Sequence, residues 1–184
     1  MELYLRDPRT PRGQYIDSEH HALVRAVGSS DYEHAAEANS DAYILTSTFA
    51  TGGADVEVLA LQNDDPSLDL HIDRIYASST VATLWTFGEA TGTLGGGIIV
   101  PANTRPKSGK TATVTAYGDQ AITGQTIGER LAIGHTSAYG LGSIDFGGAI
   151  ILKKDDRVAM TASADGTVAV TIEFHMDDPN RNSD

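Results

Sequence analysis

The stretch Ser108-Gly109-Lys110-Thr111 ends like a phosphate-binding loop, in which backbone amides and a lysine cradle a phosphate ahead of a helix. Thr104 stands where that loop needs its first glycine, and the residues before Ser108 include Pro106 and do not read as a strand. Residues 111–117 read as a strand and not as a helix, so a turn between strands is the expected role. Gly92, Gly95, Gly96 and Gly97 lack both the G-x-G-x-x-G spacing and the strand–helix–strand setting of a dinucleotide site, and read as turn glycines. Ser137, in Gly134-His135-Thr136-Ser137-Ala138-Tyr139-Gly140, lacks the glycine two positions earlier that a nucleophile elbow requires. His135 beside it is then a loop histidine.

The six histidines contain no H-x-H pair and no zinc spacing. His20 and His21 are adjacent and would face opposite ways on a strand, while His34, His71, His135 and His175 stand apart. Asp69, His71 and Asp73 share one face of a strand and could place a cation, although the wet side of an amphipathic strand is their ordinary role. Asn63-Asp64-Asp65 and Asp155-Asp156 offer oxygens to Ca²⁺ but lack an EF-hand or nonapeptide context, and read as turns. A glycosidase pair of carboxylates is defined by a separation of roughly 5–10 Å in space, which spacing along a chain does not give. Trp85, the only tryptophan, and Phe87 sit at strand positions expected to be buried in a core. The sequence therefore assigns no catalytic residue, no cofactor-binding residue and no metal ligand, and the expectation is a protein that needs no cofactor and is not an enzyme.

The elements that would position these residues are strands. In Asp55-Val-Glu-Val-Leu-Ala-Leu, Val56, Val58 and Ala60 alternate with Glu57 and Leu59, and in the stretch from Asp69 to Ala77, Leu70 and Ile72 alternate with Asp69, His71 and Asp73. Asn63-Asp64-Asp65-Pro66-Ser67 separates the two as a turn. Further strands are expected at 43–49, 81–87, 97–100, 111–117 and 130–133, with a weaker one at 21–27. Asp165-Gly166, flanked by two alternating runs, predicts a two-residue hairpin with a type I′ turn, which Lys153-Lys154-Asp155-Asp156 would join to a preceding strand to give three consecutive antiparallel strands. Residues 88–96 and 118–128, rich in Gly and Thr, read as loops, and 126–131 as a loop or one helical turn. Residues 29–40 read as a short helix or a polar edge strand.

Eight to ten short strands without intervening helices predict an all-β fold, an antiparallel β-sandwich, with a single jelly roll of about eight strands as the expected architecture. The domain layout expected is an extended N-terminal arm over 1–19, carrying Arg6, Arg9 and Arg12 between Pro8 and Pro11, then the sandwich over 20–176 and a polar C-terminal tail over 177–184. At 184 residues one domain can bury its core without staples, and there is no cysteine to supply any. The start of the chain has no apolar h-region, so no secretory signal is expected, and no apolar run is long enough to span a bilayer.

The formal net charge is −12, and only 4 of the 13 basic residues are lysine. Such a field repels phosphate backbones, so nucleic acid is not an expected partner. Excess Asp with scarce lysine points to a salt-adapted protein, because at about 1 M salt a Debye length near 3 Å weakens the self-repulsion of an acidic surface. An ordinary acidic mesophilic protein is the other reading.

With its strand pattern, salt-adapted composition and lack of catalytic motifs, the chain resembles the smaller major capsid protein of halophilic archaeal icosahedral viruses that enclose a membrane. The resemblance covers residues from about 20 to 176. It implies an upright single jelly roll that pairs as homodimer and heterodimer, with a second, larger jelly-roll capsid protein as partner, and that builds capsomers over the internal membrane. It implies a virion location after synthesis in the host cytoplasm, and an arm around Arg6–Arg12 that reaches a neighbouring subunit or the anionic membrane. No motif anchors an alignment, so no individual residue role is implied. A phage decoration or receptor-binding module, or a carbohydrate-binding sandwich, is the alternative class; a metal-binding or glycosidic jelly-roll enzyme is the third.

Overall fold

The computed structural model describes residues 15–16, 22–23, 31–36 and 41–179. The expected arm over 1–19 apart from Tyr15 and Ile16, and so all of Arg6, Arg9 and Arg12, lies outside them, as do His20, His21 and residues 180–184 of the expected tail.

The alternation in Thr167–Asp177, here β11, sets the architecture: Val168, Val170, Ile172 and Phe174 are buried while Thr171 and Glu173 point to the other face. Two long strands flank β11, namely β3 (Ala42–Ala50) and β5 (Asp69–Ser79). Outside them lie β7 (Ala102–Asn103) on the β3 side and β9 (Leu141–Leu152) on the β5 side, giving a first sheet of order β7-β3-β11-β5-β9. The second sheet holds β4 (Val56–Asn63), β6 (Thr83–Ile98), β8 (Val114–Thr136) and β10 (Arg157–Ala162). In it β10 lies between β4 and β6, and β8 pairs with both β6 and β4, so the four strands close on themselves. All pairings are antiparallel, and the protein is an all-β sandwich of two antiparallel sheets. Two short strands, β1 (Tyr15–Ile16) and β2 (Ala22–Leu23), pair with each other, and one helical turn, α1 (Asp31–His34), falls where a helix or an edge strand was expected. The end of the expected arm is thus tied to the weak strand that follows it.

Between the sheets, Tyr43, Trp85, Phe87 and Phe174 are almost fully buried with Leu45, Leu61, Ile72, Met160 and Ile172 around them. Tyr43 stacks on Phe174 at 5.5 Å, and the Trp85 indole donates to Thr136 Oγ1 at 2.9 Å, so the one polar atom of the indole is satisfied. A second, smaller core of Ala60, Ala90, Ile122 and Ala159, with Tyr117 and Ile127 against it, sits inside the closed four-strand ring. A ring of so few strands has room only for small side chains, which is why alanines fill it.

Three sequence expectations change here. Val58, Leu59, Ala60 and Leu61 are all buried, because the curled β6–β8 pair covers the far face of β4 and a register shift between Glu57 and Ala60 turns the strand. The glycine-rich stretches 88–96 and 118–128, expected as loops, and 126–131, expected as a loop or a helical turn, all run within β6 and β8. Gly88 shows why: a Cβ there would lie 2.4 Å from the Glu129 carbonyl oxygen, and register shifts flank it, so glycine permits the close approach at which β6 bends. Asp165-Gly166 does not make a hairpin either. β10 and β11 belong to different sheets, and neither Asp165 nor Gly166 takes the positive φ of a type I′ turn. The link is an arch between layers, pinned where Gly166 N donates to Thr51 Oγ1 at 3.0 Å and Thr167 N to Thr80 Oγ1 at 3.0 Å. For the same reason β9, β10 and β11 are not three successive neighbours.

Candidate interaction surface

Two regions concentrate side chains beyond the needs of the core. The first is a polar cluster on the outer face of the first sheet. Asp73 is the extra residue of a bulge in β5, because Ile72 and Arg74 pair with the consecutive residues Phe174 and Glu173 of β11. The bulge aims the Asp73 carboxylate at His175, whose Nδ1 lies 2.8 Å away with both side chains nearly buried. His71 stacks on His175 at 4.9 Å, and its own Nδ1 lies 3.1 Å from the Gly148 carbonyl. Gly148, at φ +78°, lets β9 bend close enough to cover the pair, its Cβ position lying 3.4 Å from His175 Cε1.

Around this pair, Arg74 donates to Asp145 at 2.5 and 3.2 Å and to the Tyr76 hydroxyl at 3.0 Å. Burial foremost, with the charges of Asp73 and Asp145 adding to it, pushes the Glu173 carboxyl above the ordinary carboxylate range against the opposing pull of Arg74. Burial foremost, then Glu173 and Asp73, pushes the Tyr32 phenol well above its ordinary value. A carboxylate that fixes a histidine tautomer is half of a base-and-nucleophile arrangement, but among the described residues neither imidazole has a hydroxyl partner. Nor do any three His, Asp or Glu side chains among them converge as a metal site. The expected wet face of Asp69, His71 and Asp73 is in fact half covered, and the cluster ties β5, β11 and β9 together.

The acidic turns spend their oxygens on themselves. Asp65 Oδ1 accepts from Ser67 N, Ser67 Oγ and Leu68 N at 2.9–3.0 Å; partial burial raises its pKa, but these bonds outweigh it and hold the carboxyl below the ordinary range. Asp64 accepts from Gln62 and Thr115, and Asp156 from the Lys153 amide. Lys110, of the phosphate-loop-like turn, sits 2.9 Å from both oxygens of Asp41, and the chain continues from it into β8. Trp85 is buried as expected.

The second region is one side of the sandwich. Among the described residues β9 pairs with β5 alone, and the half of β8 beyond Gln125 with β6 alone. Leu131 and Ile133 of β8 and Leu141 and Ile151 of β9 are 42–72% exposed, and Leu131 and Ile151 line one groove. Tyr139, in the turn between the two strands, is 83% exposed at φ +58°. A groove of about 350 Å³ runs beside β9, lined by Leu131, Ile150, Ile151 and Val158 and by the charged Glu89, Asp156 and Arg157. Arg157 Nη1 donates to the Gly92 carbonyl. Residues 126–152 carry only Glu129, Arg130 and Asp145 as charges, about half the 21% charged share of the whole chain, and none of them is lysine. The sequence reading missed this side, because exposed apolar residues on two separate strands show no pattern until the strands are adjacent.

No family model matches this chain, and neither a curated protein nor a solved structure does.

Proposed function

We propose that the chain is a structural virion protein, a single jelly-roll subunit that tiles a shell through the sides of its sandwich. The observation that carries this reading is the nesting of its long strands: β3 with β11, β4 with β10, β5 with β9 and β6 with β8. Such nesting is what results when one long antiparallel ribbon folds over into two sheets of four, the jelly roll; β7 and the β4–β8 closure are additions to it. Fold alone does not give function, so three features of this chain support a shell role over the other uses of that topology. Aromatic side chains fill the space between the sheets, the acidic turns satisfy their own backbone, and β8 and β9 expose Leu131, Ile133, Leu141 and Ile151.

In this reading the protein performs no catalysis and uses no cofactor. Its partners are copies of itself and a second, larger jelly-roll subunit, and the basic residues Arg6, Arg9 and Arg12 reach a neighbouring subunit or an internal membrane. It is made in the host cytoplasm and resides in the capsid, in a high-salt setting that its charge of −12 suits. Electron microscopy and mass spectrometry of particles purified at molar salt test this. The expected result is the chain as an abundant particle component; its absence from particles, together with glycan or host-cell binding by the isolated domain, would overturn the reading in favour of a binding module.

A further inference from the structure

We infer that His71 and His175 form a two-imidazole site for a divalent transition-metal ion, Zn²⁺, Cu²⁺ or Ni²⁺, on the outer face of the first sheet. The inference is independent of the shell reading, to which it adds a metal staple between β5 and β11.

His71 and His175 are direct partners in the β5–β11 register, so their side chains leave the sheet side by side on one face. The rings lie 4.9 Å apart and 17° from parallel. An ionised carboxylate and a carbonyl only accept hydrogen bonds, so Asp73 fixes a proton on Nδ1 of His175 and Gly148 fixes one on Nδ1 of His71. In the neutral rings each Nε2 then carries a lone pair, and as the nitrogen farther from Cβ it lies at the outer end of its ring. A carboxylate and a backbone carbonyl are also the partners that orient metal-ligating histidines in known sites.

One of the two nitrogens is buried and unsatisfied. The His175 side chain is only 4% exposed, and among the described residues its Nε2 has no hydrogen-bond partner. His71 is partly exposed and gives an ion its way in. An ion that takes imidazole nitrogen at about 2.0–2.1 Å holds two of them about 3.3 Å apart in tetrahedral geometry. A tilt of the His71 ring brings the two ring ends from a ring separation of 4.9 Å to that spacing. Charge favours a cation. Asp73, Glu173 and Asp145 surround the pair, Asp69 and Asp177 face each other in the next register row, and the one cation among them, Arg74, is bound to Asp145. Imidazole selects Zn²⁺, Cu²⁺ or Ni²⁺ over Ca²⁺ and Mg²⁺, which take oxygen. No third His, Asp or Glu among the described residues converges there, so water completes the coordination.

Titration calorimetry of the full chain, without a histidine tag and stripped with a chelator, tests this with Zn²⁺, then Cu²⁺ and Ni²⁺. The expected result is saturation at a single ion per chain, with no change for His135→Ala, an exposed histidine of β8. Asp73→Asn keeps both imidazoles but removes the carboxylate behind His175, and should weaken binding about tenfold. His71→Ala and His175→Ala each remove a ligand and should weaken it further than that. If His175→Ala fails to fold, nuclear magnetic resonance of the wild type decides: Zn²⁺ should shift the ring signals of His71 and His175 and leave those of His135 in place. A wild-type chain that binds none of the three ions, binding indifferent to His71→Ala, or shifts confined to other histidines would overturn the inference. None of these outcomes touches the shell reading, which the particle experiments decide.

Discussion

The two sheets are built by different means. In the first, β3, β5 and β11 alternate between a buried face and an open one, and the register between β3 and β11 runs unbroken from Thr167–Ala50 to His175–Ala42. In the second, β6 and β8 are long, rich in glycine and repeatedly shifted in register, and they curl until β8 meets β4 and the sheet closes. The first sheet uses side chains to define its faces. The second uses the lack of side chains to bend. Alternation specifies a flat, half-buried sheet, whereas closure of a narrow ring requires backbones to approach where no Cβ can stand.

If that contrast is right, truncation of a large side chain should hurt most in the first sheet. Phe174, fully buried against Tyr43, is expected to cost about 3–5 kcal/mol as Phe174→Ala, read from the midpoint of denaturant unfolding. A loss below about 1 kcal/mol would mean that the space between the sheets collapses readily, against the packing described. In the second sheet the sensitive change is an addition. Gly88→Ala puts a methyl 2.4 Å from the Glu129 carbonyl oxygen and 2.7 Å from Ile127 Cγ2, and should cost about 2–3 kcal/mol. Gly53→Ala, whose nearest neighbour would be Val56 Cγ2 at 3.9 Å, is the control and should be nearly neutral. Equal costs for the two glycine variants would remove the distinction between the sheets.

The same contrast explains what was legible in the sequence. The strands over 42–50 and 167–177 follow from Tyr43, Leu45, Ile172 and Phe174 at period two, and the burial of Trp85 and Phe87 follows from their place in such a run. Glycine-rich segments carry no hydrophobic period, so β6 beyond Phe87 and the middle of β8 resembled loops. Asp165-Gly166 misled for another reason: the dipeptide favours a tight turn locally, but β10 and β11 each pair with strands of opposite sheets, and tertiary pairing overrides turn propensity. The cluster at His175 was half visible. His71 and Asp73 were seen to share a face, but the bulge that aims Asp73 at His175, 102 residues away in sequence, is a property of the assembled sheet.

That cluster offers a smaller test of the first sheet. Asp73→Ala leaves His175 Nδ1 without its partner in a site where the ring is only 4% exposed, and should cost about 1–2 kcal/mol, toward the lower part of the range for an orphaned buried polar group because the Asp73 side chain is itself 10% exposed. Nuclear magnetic resonance should show the His175 ring losing its fixed orientation. A variant as stable as wild type, with the ring unchanged, would make Gly148 and the stacked His71 ring sufficient to hold it.

The smallest effect expected is a gain. Burial, with Asp73 and Asp145 adding to it against the pull of Arg74, holds the Glu173 carboxyl above its ordinary range, so the folded chain binds this proton more tightly than the unfolded one. Stability from this group is therefore present at low pH and is lost as pH rises from the ordinary carboxylate range through the raised value. At neutral pH the charged Glu173 is a net cost, and Glu173→Gln removes it. Because the side chain is partly exposed and solvent screens it, the gain should be about half a kcal/mol, seen as a slightly higher melting temperature at pH 7. The difference should shrink toward zero as pH falls below the range in which wild-type Glu173 takes up its proton. A difference that widens on acidification would mean that Arg74, and not burial, dominates at this position, and that the outer face of the first sheet is wetter than its geometry implies.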